Sequence, residues 1–307
     1  MRSKAFFTKH DRSPGHVGVT KLAQKMTGIV NYIAQIARPD LSFTASQYGV
    51  VASCPKRDIV KDLTHTARCL DCTSHYTLRY SNAMQDNVNT LTAYVDASDG
   101  DGEGCKSQTG LTVFMNGSPI AWASVRQTTV SLSTGESELK ATTLAAREIL
   151  FLRGVLQDMG HPQPTSPGTL LYSDSEVAIA WNKTPSLSKK NKHLDRQAWF
   201  CREHIANGNI HIEHMPSKQM IADIQTKNLP RETHTQLCAL LFQQSPRDTH
   251  EVKPVGHVPI AHETRTAASS TDAPAQTDPA PETAACMHAC MPAERNDSLN
   301  LSEFPLT

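Results

Sequence analysis

Four acidic residues stand at positions where a carboxylate is costly unless it is paired or bound to a metal. Asp96 closes the strand-like run Leu91-Thr92-Ala93-Tyr94-Val95, and Asp174 closes Leu170-Leu171-Tyr172-Ser173. Both runs suit the middle of a sheet, and strand ends are where α/β sheets collect ligand sites. Glu138 lies near the start of a long amphipathic segment, and Asp223 follows Met220 by three residues and adjoins Ile224, which turns it inward. Four inward carboxylates from four separate elements suit oxygen-ligated Mg²⁺, with Mn²⁺ as the alternative. Two such ions about 3.5–4 Å apart activate water and stabilise the leaving oxygen in phosphodiester cleavage. Taken singly, each acid reads equally well as a helix cap, a turn residue at a strand end or a solvated group.

The amphipathic segment separates Glu138 from its neighbour Glu136. Ala141, Ala145, Ile149, Leu152, Leu156 and Met159 recur at gaps of four and three, a stripe about five turns long, with Gly160 as its stop signal. Ser133-Thr134-Gly135-Glu136 matches a capping box, Ser133 being the N-cap and Glu136 its partner. At about 100° per residue, Glu138 falls on the side of the stripe and Glu136 about 200° away. Glu136 therefore has a local capping task, and Glu138 is the candidate ligand.

The elements that must position these acids follow from periodicity and turn signals. Strands are expected over Thr90 to Asp96, Gly110 to Met115 and Ile120 to Ser124, the last two joined by the hairpin signal Asn116-Gly117. The long helix follows. Then come a strand over Thr169 to Ser173, a second helix, a helix from about His193 to Ala206, a strand over Asn209 to His214 and a final short helix from near Ser217. The order β-β-β-α-β-α-α-β-α implies an α/β fold, a mixed sheet with helices packed on it. Ahead of it, residues 1–82 read as mainly helical. Leu22, Met26, Ile29, Ile33 and Ile36 mark one helix that Arg38-Pro39-Asp40 ends, and a second runs from about Lys56 to Leu70. Tyr76-Thr77-Leu78-Arg79-Tyr80 alternates like a strand.

Charge balances at 30 basic and 30 acidic residues, but unevenly, because residues 246–307 hold nine acidic and four basic ones. That tail also has eight prolines and one aromatic, Phe304, and is expected to be disordered. The remainder is mildly basic, which fits a body that binds polyanions. The eight cysteines show no framework spacing and no apolar run reaches membrane length, so reduced thiols in an intracellular, cytoplasmic setting are expected.

Six segments then resemble one family. Tyr94-Val95-Asp96-Ala97 resembles "YSDAD", and Ser107-Gln108-Thr109-Gly110 stands at "STSG". Ser131-Leu132-Ser133-Thr134-Gly135-Glu136-Ser137-Glu138 resembles "ALSSTEAE", and Tyr172-Ser173-Asp174-Ser175-Glu176-Val177-Ala178-Ile179 resembles "YCDNQSAI". Lys192-His193-Leu194-Asp195 resembles "KHID", and Ala222-Asp223-Ile224-Gln225-Thr226-Lys227 resembles "ADILTK". Order and spacing hold over about 145 residues. The whole resembles the end of a copia-type LTR retrotransposon Pol polyprotein.

The resemblance implies a ribonuclease H-like mixed five-stranded sheet over 88–235. It implies Asp96, Glu138, Asp174 and Asp223 as catalytic and metal-binding residues, two Mg²⁺ ions, and cleavage of the RNA strand of RNA–DNA hybrids. It also implies the rest of the reverse transcriptase polyprotein as a partner, and virus-like particles as a setting. Ala37-Arg38-Pro39-Asp40-Leu41-Ser42-Phe43 resembles "TRPDISF", which makes residues 1–82 a partial reverse transcriptase connection segment. The paired aspartates "YVDD" are absent, so no polymerase activity is expected of this chain. The sequence departs from the pattern at Gln225, where leucine is usual, at Arg196-Gln197-Ala198-Trp199 in place of "VRYH", and in the acidic, glycine-rich stretch after Asp96. A decayed module that only binds nucleic acid is the alternative these departures leave open.

For the hybrid itself, Lys183, Lys189, Lys190, Lys192 and Arg196 offer phosphate contacts, or else form a solvated basic face. Gln108, Thr134 and Gly135 offer short polar and backbone groups to the RNA strand, and His193 lies nearby, either as a contact or as a helix-capping residue. His65, Cys69, Cys72 and His75 form a rival, zinc-type set, although four ligands within eleven residues leave little chain to wrap a tetrahedral ion. Cys286, His288 and Cys290 lie in the tail, where no preformed site is expected.

Overall fold

In the computed structural model, the structure describes residues 17–55, 58–80, 89–100, 102–184 and 194–243. The sheet is mixed and five-stranded, as expected. Strands β1 (Leu91–Ala97), β2 (Gln108–Met115), β3 (Ser118–Arg126), β4 (Thr169–Ser173) and β5 (Ile210–His214) lie in the order β3-β2-β1-β4-β5. The first three form an antiparallel meander, and β4 and β5 join in parallel on the far side of β1. Asn116 and Gly117 both have positive φ, 53° and 76°, so the predicted turn is of the primed kind whose twist suits a two-residue hairpin.

Helix α4 (Thr134–Asp158) lies across β1 and β2. Its Ala141, Ala145 and Ile149 are fully buried against Leu91, Ala93, Val95 and Ala97 of β1. The helix ends in paired bonds, His161 N–H to Leu156 O (2.8 Å) and Gly160 N–H to Gln157 O (3.0 Å), with Gly160 at φ 85°. This is the Schellman arrangement that a glycine one residue past the cap permits. Met159, counted in the apolar stripe, is exposed, because the chain turns away before it can pack.

Side chains alternate across a strand, so Tyr94 and Asp96 leave β1 on the face opposite α4. There a second core forms from Phe114, Ile221, Ile224, Leu237, Leu241 and Phe242, with Tyr94, Tyr76 and Leu78 packed on it. Two of these residues lie in α7 (Arg231–Leu241), which follows the expected last element. Tyr76–Tyr80 packs Tyr76 and Leu78 inward, yet it is not a strand. It meets the β2–β3 turn through isolated bonds, Ser118 Oγ to Arg79 O and Tyr80 Oη to Pro119 O, in place of a ladder. The alternation there records packing alone.

The N-terminal helices α1 (Val17–Ile36), α2 (Ser42–Val51) and α3 (Ile59–Cys72) enclose their own core. The buried face of α1 is Ala23, Thr27, Val30 and Ala34, while Leu22, Ile29 and Ile36 of the predicted stripe are exposed. Small side chains on one line let α1 approach its neighbours closely, which rotates the larger ones to the flank. The Arg38-Pro39-Asp40 break holds a buried ion pair. Arg38 Nε and Nη2 donate to the two Asp40 oxygens at 2.8 and 2.7 Å, and Nη2 also reaches Thr73 Oγ1 at 2.7 Å. The guanidinium lies 5.3 Å from the Tyr76 ring centre and 5.9 Å from that of Phe242. Burial opposes its charge, and the Asp40 carboxylate outweighs that, so its pKa is raised. The pair therefore ties the first helices to α7.

Removing one partner of a buried pair leaves the other charge stranded, at a cost of about 3–5 kcal/mol. Arg38→Ala is expected to lower the unfolding free energy obtained from a denaturant titration by that much. Lys61→Ala, which breaks the exposed ion pair with Asp58, should change it by no more than about 0.5 kcal/mol.

Candidate active site

The strand ends and the first turn of α4 converge on one point. Asp96 is the sixth residue of β1, Asp174 directly follows the adjacent parallel strand β4, and α4 brings Glu138 down onto the end of β1. Ala97 N–H donates to Glu138 Oε1 at 3.2 Å. One ligand atom from each of Asp96, Glu138 and Asp174 lies within 4.8 Å of the others. Asp96 and Glu138 are buried and Asp174 is half-buried.

Glu138 has this position because the cap fixes the phase of the helix. Ser133 Oγ accepts from Glu136 N–H at 3.3 Å, and Glu136 Oε2 accepts from Leu132 N–H at 2.9 Å, one residue earlier than the reciprocal bond of an ideal box. Glu136 also pairs with Lys140 at 2.8 Å. Glu138 Oε2, in contrast, has no hydrogen-bond partner among the described residues. A buried carboxylate oxygen without a donor, on a residue grouped with two other carboxylates, is a donor set that fits a hard divalent cation. Burial, then the Asp96 and Asp174 charges, push the Glu138 carboxyl up to about 9 against the pull of Ala97 N–H and Lys227.

Asp223 stands apart from the other three. Its element is a 3₁₀ turn over Ile221–Gln225 rather than the expected helix. Asp223 is buried and forms an ion pair with Lys227 Nζ at 2.9 Å, and the same ammonium lies 3.7 Å from Asp96 Oδ2. Burial and the nearby Asp96 push its carboxyl up to about 7. So three of the four predicted acids meet directly, and the fourth is linked to them through Asp96 and Lys227.

Three residues of this site were not singled out from the sequence. Thr226 donates its hydroxyl to Asp96 Oδ2, Ser217 donates to Asp174 Oδ2 at 2.8 Å, and Lys227 lies between Asp96 and Asp223. The one signal available was the four-residue spacing of Asp223 and Lys227. Gly110, paired with Asp96 across the ladder, is also required: a Cβ there would meet Ala222 O at 2.6 Å and Thr226 Cγ2 at 2.7 Å. Its bare backbone lets the Asp223 turn lie against β2.

Two of the expected nucleic-acid contacts, Gln108 and Gly135, lie in packed surroundings. The Gln108 amide is buried and donates to Ser46 Oγ (2.9 Å) and Ser124 Oγ (2.8 Å), joining α2 to the sheet. Gly135 lies beneath α5 (Glu176–Lys183), where a Cβ would meet Val177 at 2.9 Å and Trp181 at 3.0 Å, so it is a helix-crossing glycine. Thr134, Lys183 and Arg196 are exposed. Lys189, Lys190, Lys192 and His193 lie outside the described residues, as do Cys286, His288, Cys290 and the rest of the tail.

The zinc-type set does not assemble. Cys69 Sγ lies 3.5 Å from His65 Nε2 along α3, but among the described residues the second ligand-type group is Asp40, His234 and Cys238. Arg38 occupies both Asp40 oxygens of that group, and burial drives the Cys238 thiol well above its ordinary range. No helix of the described residues is long and apolar enough to cross a membrane.

Comparison with known proteins finds several transposon polyproteins similar to this chain. It is 32% identical over 142 residues, 46% of its length, to the retrovirus-related Pol polyprotein from transposon TNT 1-94 of Nicotiana tabacum. It is 26% identical over 207 residues, 67% of its length, to that from transposon RE2 of Arabidopsis thaliana. Over 212 residues, 68% of its length, it is 26% identical to the transposon Ty1-LR3 Gag-Pol polyprotein of Saccharomyces cerevisiae. The chain spans only 10 to 14% of the length of these relatives. No family model matches it. Among solved structures, LC11-RNase H1 from compost aligns over 48% of this chain and 98% of its own, at 16% identity and TM-score 0.35. The N-terminal RNase H domain of rv2228c from Mycobacterium tuberculosis aligns over 48% and 96%, at 10% identity and TM-score 0.34.

Two outcomes test the electrostatics. The folded chain keeps the Glu138 proton up to about 9, while the unfolded chain releases it near the ordinary 4.5. Between those values the folded state holds more protons, so metal-free stability falls as pH rises, and Asp223 adds to the loss below about 7. Glu138→Gln is expected to flatten that slope and raise the metal-free melting temperature at pH 8 by at least about 2–4 °C, the shift 1 kcal/mol produces at this size. Separately, Gln225 is fully buried with neither amide atom hydrogen-bonded among the described residues. Gln225→Leu should stabilise by about 1–3 kcal/mol in the same melts.

Proposed function

We propose that this homologue of copia- and Ty1-type transposon Pol polyproteins is a ribonuclease H that cleaves the RNA strand of RNA–DNA hybrids with divalent metal ions. The observation that carries the reading is the meeting of Asp96, Glu138 and Asp174 at the ends of two parallel strands, with the Glu138 Oε2 atom without a hydrogen bond among the described residues. In this reading residues 88–235 are the nuclease, 1–82 a partial connection segment from a reverse transcriptase, and 246–307 a tail.

Asp96, Glu138 and Asp174 would hold one Mg²⁺ or Mn²⁺, and Asp96 with Asp223 a second. Bound there, the ions supply an activated water and charge for the leaving oxygen in phosphodiester hydrolysis. The protein's own residues set the terms. Thr226 donates to Asp96 Oδ2 and Ser217 to Asp174 Oδ2, which restrains the orientation of both carboxylates. Glu138 would have to be ionised to hold a cation, so ion binding would strengthen at higher pH. Lys183 and Arg196, with the lysines at 189, 190 and 192, would contact phosphates along the hybrid, a sequence-independent attraction that weakens with salt.

The buried amide of Gln225, two residues from Asp223 and without a hydrogen-bond partner among the described residues, favours a second reading, a module that binds hybrids without cutting them. The full chain is expected to cut a labelled RNA–DNA hybrid in Mg²⁺, and Asp174→Asn to reduce the rate at least about a hundredfold. Unchanged cleavage by that variant rejects the assignment. Salt-sensitive hybrid binding with no Mg²⁺-dependent cutting selects the second reading.

A further inference from the structure

Lys227 lies where a cation is called for. Its Nζ is 2.9 Å from Asp223 Oδ1 and 3.7 Å from Asp96 Oδ2, and these carboxylates are only 8% and 3% exposed. The lysine side chain is 40% exposed, so it reaches the buried pair from the solvent side and can withdraw along the path by which it entered. Asp96 belongs at once to this ion pair and to the three-carboxylate group with Glu138 and Asp174. Lys227 follows Thr226, whose hydroxyl is bonded to the same Asp96 oxygen, so one short segment supplies both a neutral and a charged partner to it.

We propose that the Lys227 ammonium is a resident counter-ion that fills the Asp96–Asp223 position when metal is absent and is displaced when a divalent cation binds there. This rests on the metal-binding reading above. An ammonium and a divalent ion 3–4 Å apart repel strongly in a half-buried site, so both do not occupy the position together. A lysine is suited to this exchange, because its charge is compact and well hydrated on a flexible stem, whereas arginine would grip both carboxylates with a planar fork. Lys227 is thus a positioning residue. It keeps two buried carboxylates apart from each other's charge before loading, and it sets how tightly the second position takes an ion.

The test compares full-length wild type, Lys227→Met, Lys227→Arg and Lys218→Met, the last neutralising an exposed lysine near Asp174. Each is melted in EDTA and in saturating Mg²⁺, and each is titrated with Mg²⁺ by calorimetry. Lys227→Met is expected to melt below wild type in EDTA, to match it in Mg²⁺, and to bind Mg²⁺ about tenfold more tightly, about 1.4 kcal/mol. Lys218→Met should match wild type throughout. Lys227→Arg keeps a cation in place, so its melting in EDTA stays at the wild-type level and its Mg²⁺ binding is no tighter. If Lys227→Met loses as much stability in Mg²⁺ as in EDTA, or binds Mg²⁺ no more tightly, the lysine is only a structural ion pair and the proposal fails while the metal reading stands. Tighter Mg²⁺ binding by Lys227→Arg overturns it equally, and decides the matter if Lys227→Met does not fold. Absence of any Mg²⁺-induced shift in wild type and variants alike removes the metal reading and the proposal with it.

Discussion

Bringing three carboxylates to within 4.8 Å of one another is opposed by both their charge and their burial, and the rest of the molecule is arranged around that opposition. The folded chain answers it with a backbone N–H on Glu138, hydroxyls on Asp96 and Asp174, and an ammonium between Asp96 and Asp223. These partners are four residues from three places in the chain, Ala97, Ser217 and Thr226 with Lys227, and the sheet and the Asp223 turn bring them together around the acids. Parallel pairing of β1 and β4 sets two of the acids side by side, and α4 delivers the third from one face of the sheet. The Asp223 turn approaches from the other face. The centre thus straddles the end of β1, and strand parity decides which partner each carboxylate meets.

Most of this arrangement was legible in the sequence where a local rule operates. The strand runs, the Asn116-Gly117 turn and the Ser133 cap each depend on neighbours within a few residues, and each led to the element observed. The same holds for Glu138, whose direction follows from helical phase once the cap is fixed. Distant approach was not legible. Nothing local in Gln108 shows that Ser46, sixty-two residues earlier, takes its amide, and nothing in Gly135 shows that Trp181 lies over it. Both residues sit in polar, glycine-containing strings that read as surface, and tertiary packing claims both.

The Asp223 segment shows the limit most clearly. Met220 and Ile224 imply an inward-facing acid, and Asp223 is indeed buried. The spacing does not reveal that the turn is too tight for an α-helix, or that it leans on the bare backbone of Gly110. Lys227 is legible as the neighbour of Asp223 four residues on, but its second carboxylate, Asp96, comes from a strand more than a hundred residues away.

The packing of Tyr76 and Leu78 has a consequence for where the unit built on the sheet begins. Those residues precede the first strand, yet they share a core with Ile221, Ile224 and the end of α7, directly behind the turn that carries Asp223. Arg38 and Asp40 seal the same region from the first helices. A cut made where the motifs start would leave the sheet whole and take away the back wall of its fourth acid. The helical segment ahead of the sheet is, in mechanical terms, the abutment against which that acid is set.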